Sequence, residues 1–195
     1  MTCVIVGHGM SLKGAGKGAL IDDGAHVVRL KNPDWQFERA EDYGMKYSVG
    51  CASTETMHAM LDCRKTPSAY WAQPKYGRWN TQMEAGFRER AAQKPGSPQL
   101  TIPAEAFNGW NARYKAEGGM TVRNFSLGTA AIIFALELLH VKLVLLAGFD
   151  NLLDPSKLEY HKAQRGKWVS GHEWQAENAM LGAVEAHYGA RIMPI

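Results

Sequence analysis

The sequence predicts an α/β domain built on a doubly wound, mainly parallel sheet, and three observations lead there. Short β-branched or apolar runs at 4–6, 27–29 and 142–147 alternate with stretches of helical character. A turn carrying Gly7, Gly9, Gly14, Gly16 and Gly18 leaves the first of these runs, where backbone must bend tightly or let another group come close. An almost unbroken apolar stretch at 129–139 precedes the run at 142–147, as expected of a helix buried on most of its faces against a sheet. With 195 residues, 46% of them hydrophobic, the chain can bury one full core, which argues against disorder and makes residues 1–195 a single domain.

The elements follow in order. Residues 4–6 form the first strand, the glycine turn leads into a short helix, and 27–29 form the second strand. Residues 35–43 read as one short charged helix and 46–51 as a third strand. Ser53 or Thr54 then caps a helix running to about residue 61. Between 63 and 90 cations and aromatic rings interleave and Pro67 and Pro74 interrupt regular structure, so this stretch reads as loop. A turn at 94–98, a strand at 100–102 and a helix at 104–117, opened by Pro103 and ended by Gly118 and Gly119, come next. A strand at 121–125 precedes the apolar helix, whose head carries Ser126, Leu127, Gly128 and Thr129. The strand at 142–147 leaves through Gly148, Phe149 and Asp150 into a polar loop, 152–171, long enough to act as a lid. A helix at 173–188 and a last strand at 191–195 close the domain.

Ligands of such sheets lie beyond the carboxyl ends of the strands, so the chemistry is sought in the loops there. The glycine turn (Gly7, His8, Gly9, Met10, Ser11) aims backbone N–H groups above the sheet, a setting that favours a phosphate or carboxylate. The head of the apolar helix offers a second set of amides beside the hydroxyls of Ser126 and Thr129; a plain N-cap accounts for Ser126 equally well. Two common phosphate patterns do not fit the turn. Gly16-Lys17 is followed by Gly18 where a P-loop has Ser or Thr. A dinucleotide fingerprint starting at Gly7 needs a third glycine where Leu12 stands, and Arg29 and Lys31 end the second strand where an acidic residue would read a ribose. An NADP-dependent oxidoreductase tolerates that arginine, so this alternative stays open, as does a nucleotide-binding module without catalysis.

Tyr70, Trp71, Lys75, Arg78 and Trp79 form a basic, aromatic candidate acceptor surface, because ring faces stack on sugars or bases and cations hold phosphates. The lid adds Lys162 and Trp168 to that surface. Cys3, Cys51 and Cys63 form no Cys-x-x-Cys pair and read as buried reduced thiols. No Asp-x-Asp occurs, and His8, His26, His58, His140 and His187 have no metal-ligand spacing, so no metal site and no resident cofactor are expected. The net charge of +3 is too small to indicate nucleic acid by itself. With no signal segment and no apolar run of membrane-spanning length, the expected location is the cytoplasm. The sequence is silent on oligomeric state.

Three stretches then resemble one family. Cys3 to Gly7, Leu12-Lys13-Gly14, Gly16, Gly18, Ile21-Asp22 and Val27-Val28-Arg29 fall at the spacing of the large sialyl motif of animal-type sialyltransferases. Ser126-x-Gly128, the apolar helix and the strand ending at Gly148-Phe149 are similar to the small sialyl motif. His172 and Glu177, with four residues between them, match the very small motif, and Tyr160-His161 is similar to the remaining one. The resemblance implies a Rossmann-like, GT-A-variant catalytic domain that transfers a sugar from a nucleotide donor, CMP-linked, with inversion and without metal. It implies a base at His172 with Glu177 as orienting or structural partner, and His161 assisting the leaving phosphate. Donor contacts would come from Gly7, His8, Gly9, Met10, Ser11, Lys31, Asn32, Ser126, Leu127, Gly128, Thr129 and Asp150. His8 and Lys31 stand where the family carries nucleotide-contacting asparagines, which leaves the sugar open to another CMP-linked ulosonic acid or a UDP-sugar. Secreted-pathway members tie the large motif to the small one by a disulfide; residues 136–144 contain no cysteine, as suits a reducing compartment and a short bacterial- or phage-like member. The acceptor is then a glycan or, as for phage DNA-modification enzymes, a hydroxymethylated base.

Overall fold

The protein is described by a computed structural model covering residues 1–53, 56–73, 81–94, 100, 102–119, 124–150 and 173–195. Six strands, β1 (Thr2–Val6), β2 (His26–Leu30), β3 (Val49–Ser53), β4 (Ala69–Gln73), β5 (Leu143–Ala147) and β6 (Arg191–Pro194), form one sheet in the order β4-β3-β2-β1-β5-β6. Every pairing is parallel. The chain winds outward from β1 to β4, then restarts on the other side of β1 with β5 and β6. The order therefore reverses between β1 and β5, where Val4 lies between Val27 and Leu145, and it is beyond the carboxyl ends of such a pair that sheets of this kind bind their ligands.

Alternation along each strand divides the side chains between two helical layers. Val4, Val6, Val27 and Ala147 face Leu12, Ile21 and Tyr43, contributed by α1 (Gly18–Asp22), α3 (Ala40–Tyr43) and the turn before them. Cys3, Ile5, Val28, Leu30, Val144 and Leu146 join the larger core on the other face. There α7 (Leu127–Leu139) crosses β1 to β4, every residue from 128 to 136 being buried, as its apolar sequence predicts. Among the described residues the remaining α-helices are α2 (Asp34–Phe37), α4 (Met57–Leu61), α5 (Thr81–Ala91), α6 (Ala104–Ala116) and α8 (Trp174–Tyr188). Among the described residues no helix is long and apolar enough to cross a membrane.

Several elements differ from the sequence reading. Residues 35–43 form two short helices, because Arg39 leaves helical geometry at φ −132° and ψ 55°. The third strand runs at 49–53, later than expected. The basic, aromatic stretch contains β4 and α5: Tyr70 and Trp71 are strand residues, 1% and 0% exposed, packed in the core with Trp71 edge-on to Phe134. They form no acceptor surface, since aromatic residues fit a pleated, buried strand as readily as a ligand platform. Leu100 and Ile102 lie outside any strand, and residues 121–123, like the lid at 152–171, fall outside the described residues. All three cysteines are buried free thiols. Burial pushes the Cys3 thiol up to about 12 and Cys63 to about 11, and raises Cys51 as well.

Candidate functional site

The loop leaving β1 is fastened to the loop leaving β5. Gly7 N donates to Ala147 O at 2.8 Å, Gly9 N to Gly148 O at 2.9 Å, and Ser11 N to Asp150 Oδ2 at 3.2 Å. A Cβ at Gly9 would fall 2.6 Å from Gly148 O, so only glycine lets the two backbones approach this closely. Further along, Gly14 and Gly16 adopt φ of 73° and 64°, and their amides converge on Asp42, to Oδ2 at 2.7 Å and Oδ1 at 3.0 Å. This corrects the expectation of a loop whose amides stand open: a pair of glycine amides in a nest is a natural anion site, and here the anion is the protein's own carboxylate. Those two bonds hold the Asp42 carboxyl below the usual carboxylate range.

His8 joins this loop to the exit of β2. Its Nε2 lies 2.8 Å from Leu30 O, an acceptor only, so that nitrogen carries the proton. Its ring meets Trp35 edge-on at 5.5 Å. Lys31 follows in the left-handed region at φ 57°, and Asn32 Oδ1 accepts from Asp34 N at 2.8 Å, an Asx turn that ends the bend. Arg29, which the NADP alternative needs at the rim, is instead fully buried beneath α2 and α3. Its guanidinium donates to Lys46 O, Gln36 Oε1 and Tyr43 O at 2.9, 3.0 and 2.8 Å, and burial lowers its pKa to about 10.

The head of α7 is built by a different set of contacts. Ser126 is its N-cap, accepting from Thr129 N through Oγ at 3.2 Å. Glu177, in the first turn of α8 and 0% exposed, accepts from Ser126 N at 2.9 Å, from Ser126 Oγ at 2.6 Å and from Thr129 Oγ1. A carboxylate at this position also faces the positive end of a helix of 13 residues. Ser126 and Thr129 are therefore occupied, whereas Leu127 N and Gly128 N have no hydrogen-bond partner among the described residues.

Phe149 brings the two loops together. A Cβ at Gly128 would fall 2.5 Å from Phe149 Cε1, and one at Gly7 would fall 3.2 Å from Cδ2 of the same ring. Gly7, His8, Gly9, Ser11, Asp150 and the Ser126–Thr129 segment thus share one rim at the switch between β1 and β5, with Lys31 and Asn32 reached through the His8 to Leu30 contact. The backbone of Met10 lies in the same turn. Tyr70 and Trp71 are not part of this rim's surface. Lys75, Arg78, Trp79, His161, Lys162, Trp168 and His172 lie outside the described residues.

Sequence reasoning missed the structural roles of Asp42, Gln36 and Phe149. The two glycines spaced two apart at 14 and 16 signal a nest, but their partner lies 28 and 26 residues away. Gln36, whose Nε2 donates to Gly7 O at 2.8 Å, carries no local signal.

No protein-family model matches the chain, and no curated protein matches it in sequence. Its architecture is nonetheless that of a known class of enzyme fold, the Rossmann-like α/β fold of sialyltransferases. A mammalian sialyltransferase in complex with Gal-beta-1-3GalNAc-ortho-nitrophenol superposes with a TM-score of 0.58 at 21% identity, covering 98% of this chain and 68% of that one. A second structure of a mammalian sialyltransferase gives 0.59 at 20% identity with the same coverage. A variant of the sialyltransferase CST-II in complex with CMP gives 0.60 at 15% identity, covering 100% of this chain and 80% of that one.

Proposed function

We propose that the protein is an inverting, metal-independent glycosyltransferase that moves a sugar from a CMP-linked donor to an acceptor hydroxyl. The observation that carries this reading is the meeting of the β1 loop and the α7 head on the two sides of Phe149, at the switch point of a fold shared with sialyltransferases, one of them in complex with CMP. The amides of Leu127 and Gly128, without a hydrogen-bond partner among the described residues and at the positive end of α7, would donate to the single phosphate.

His172 takes the proton of the acceptor hydroxyl, whose oxygen forms the new bond to the anomeric carbon while the bond from that carbon to the phosphate oxygen breaks and CMP departs. Imidazole suits this step near neutral pH. Glu177 supports the assignment indirectly: it fixes the first turn of α8, five residues after His172 in sequence, to the head of α7. Its carboxylate is committed to that junction, so Glu177 is a positioning residue. His161 and Lys162 are proposed to stabilise the departing phosphate. A monophosphate leaving group sheds less charge than a diphosphate, which helix amides and one or two cations can stabilise; hence the metal independence. The acceptor we propose is a glycan hydroxyl, a reading supported by the shared fold with a sialyltransferase in complex with Gal-beta-1-3GalNAc-ortho-nitrophenol.

The experiment is release of CMP from a panel of CMP-linked sugars, with UDP-sugars as controls and EDTA present throughout. Turnover by the wild type, and its loss in His172→Ala with CMP affinity retained, is the expected result. Undiminished turnover by His172→Ala overturns the base assignment, and NADPH binding without CMP binding overturns the transferase reading.

A further inference from the structure

We infer that residues 34–43 form a clamp that preorganises the β1 loop for its donor, with Gln36 as the central positioning residue; the donor part of this inference rests on the function proposed above.

Four side chains from this segment hold the loop at successive points. Gln36 Nε2 donates to Gly7 O at 2.8 Å, Tyr43 Oη donates to Gly9 O at 3.3 Å, Asp42 accepts from Gly14 N and Gly16 N, and Trp35 packs edge-on against His8. Gly7 is consequently fixed from both sides, its N–H on Ala147 O and its carbonyl on Gln36. Trp35 in turn meets Tyr43 at 5.0 Å, so the gripping residues brace one another.

The orientation of the Gln36 amide is dictated rather than chosen. A guanidinium has donors only, so Gln36 Oε1 must face Arg29 Nη1, 3.0 Å away, and Nε2 must then face Gly7 O. Arg29 and Gln36 are both 0% exposed, and no carboxylate of the described residues lies within ion-pair distance of Arg29. An apolar pair of similar volume would be cheaper to bury. What the buried polar pair provides and an apolar one would not is a fixed N–H aimed at the carbonyl that begins the loop.

Gln36→Glu separates positioning from folding. The new carboxylate gains an ion pair with Arg29 but turns an oxygen, in place of N–H, toward Gly7 O. The expected result is a melting temperature no lower than wild type, amide exchange over residues 7–16 faster by about tenfold or more, and CMP affinity weaker by about tenfold, the scale of one lost hydrogen bond with its acceptor left unsatisfied. Asp42→Ala is the second variant, releasing Gly14 and Gly16 without touching the Arg29 pair; it should speed exchange at 14–16 alone. Wild-type exchange over 7–16 in Gln36→Glu overturns the clamp, and a loss of melting temperature in proportion to the loss of affinity reduces Gln36 to a structural residue. Faster exchange in the variant together with absence of CMP binding by the wild type keeps the clamp and overturns the donor reading instead.

Discussion

Replacing Glu177 by alanine removes two buried oxygens that between them accept from Ser126 N at 2.9 Å, Ser126 Oγ at 2.6 Å and Thr129 Oγ1. Hydrogen bonds to a charged acceptor contribute roughly 1.5–3 kcal/mol each, but these three share two atoms and do not add. The variant also escapes the desolvation cost of the carboxylate, while Ser126 Oγ keeps its cap on Thr129 N. Leaving the neutral buried donors without their acceptor costs about 1–3 kcal/mol each, and together with the cavity left by the side chain the loss expected here is about 3–5 kcal/mol. For a chain of 195 residues this lowers the melting temperature by roughly 6–20 °C. Urea unfolding followed by circular dichroism measures the loss, with an unchanged denaturant slope showing that the unfolded state is the same. Glu177→Gln, which retains one oxygen for the Ser126 amide, should recover roughly half of it. A Glu177→Ala variant within about 1 kcal/mol of wild type would show that α8 does not hold the head of α7, and the reasoning for Glu177 would fail.

Three further outcomes follow from the same structure. Gly128→Ala, which by helix propensity alone should stabilise by about 1 kcal/mol, is expected to destabilise by about 1–3 kcal/mol, because its methyl meets Phe149 Cε1 at 2.5 Å; urea titration reads the sign. The Asp42 carboxyl has its folded pKa lowered from 3.8 by the amides of Gly14 and Gly16, so its contribution to stability is present above the unfolded value and lost as pH falls through the folded one. Melting temperatures taken from about pH 6 to about pH 2 should therefore fall less steeply below about pH 4 in Asp42→Asn than in wild type. The native protein should resist alkylation at neutral pH and react at all three cysteines once unfolded, since burial holds Cys3 near about 12, Cys63 near about 11 and Cys51 raised likewise; native-state labelling followed by mass spectrometry checks it.

What the sequence made legible was governed by local pattern. The runs that became β1, β2 and β5 are β-branched or strongly apolar, and the helix that became α7 is apolar on nearly every face, so their existence and order could be read directly. β4 was hidden because Tyr70 and Trp71 sit among cations and prolines, and the same rings serve equally well for burial or for stacking. The break between α2 and α3 falls at Arg39 without a glycine or proline to announce it. At the site, the glycine spacings announced close backbone approach, and that was correct of Gly7, Gly9 and Gly18. Which group makes the approach was not legible: Asp42 reaches Gly14 across 28 residues and Glu177 reaches Ser126 across 51, and a tertiary partner leaves no mark on the local pattern.

Amide chemical shifts under CMP titration probe the donor site most directly. The resonances of Leu127 and Gly128 should move furthest and saturate together with those of His8 and Gly9, in wild type and in His172→Ala alike. Perturbation confined to other strand ends, with the α7 head unmoved at saturating CMP, would place the nucleotide elsewhere and contradict the reading.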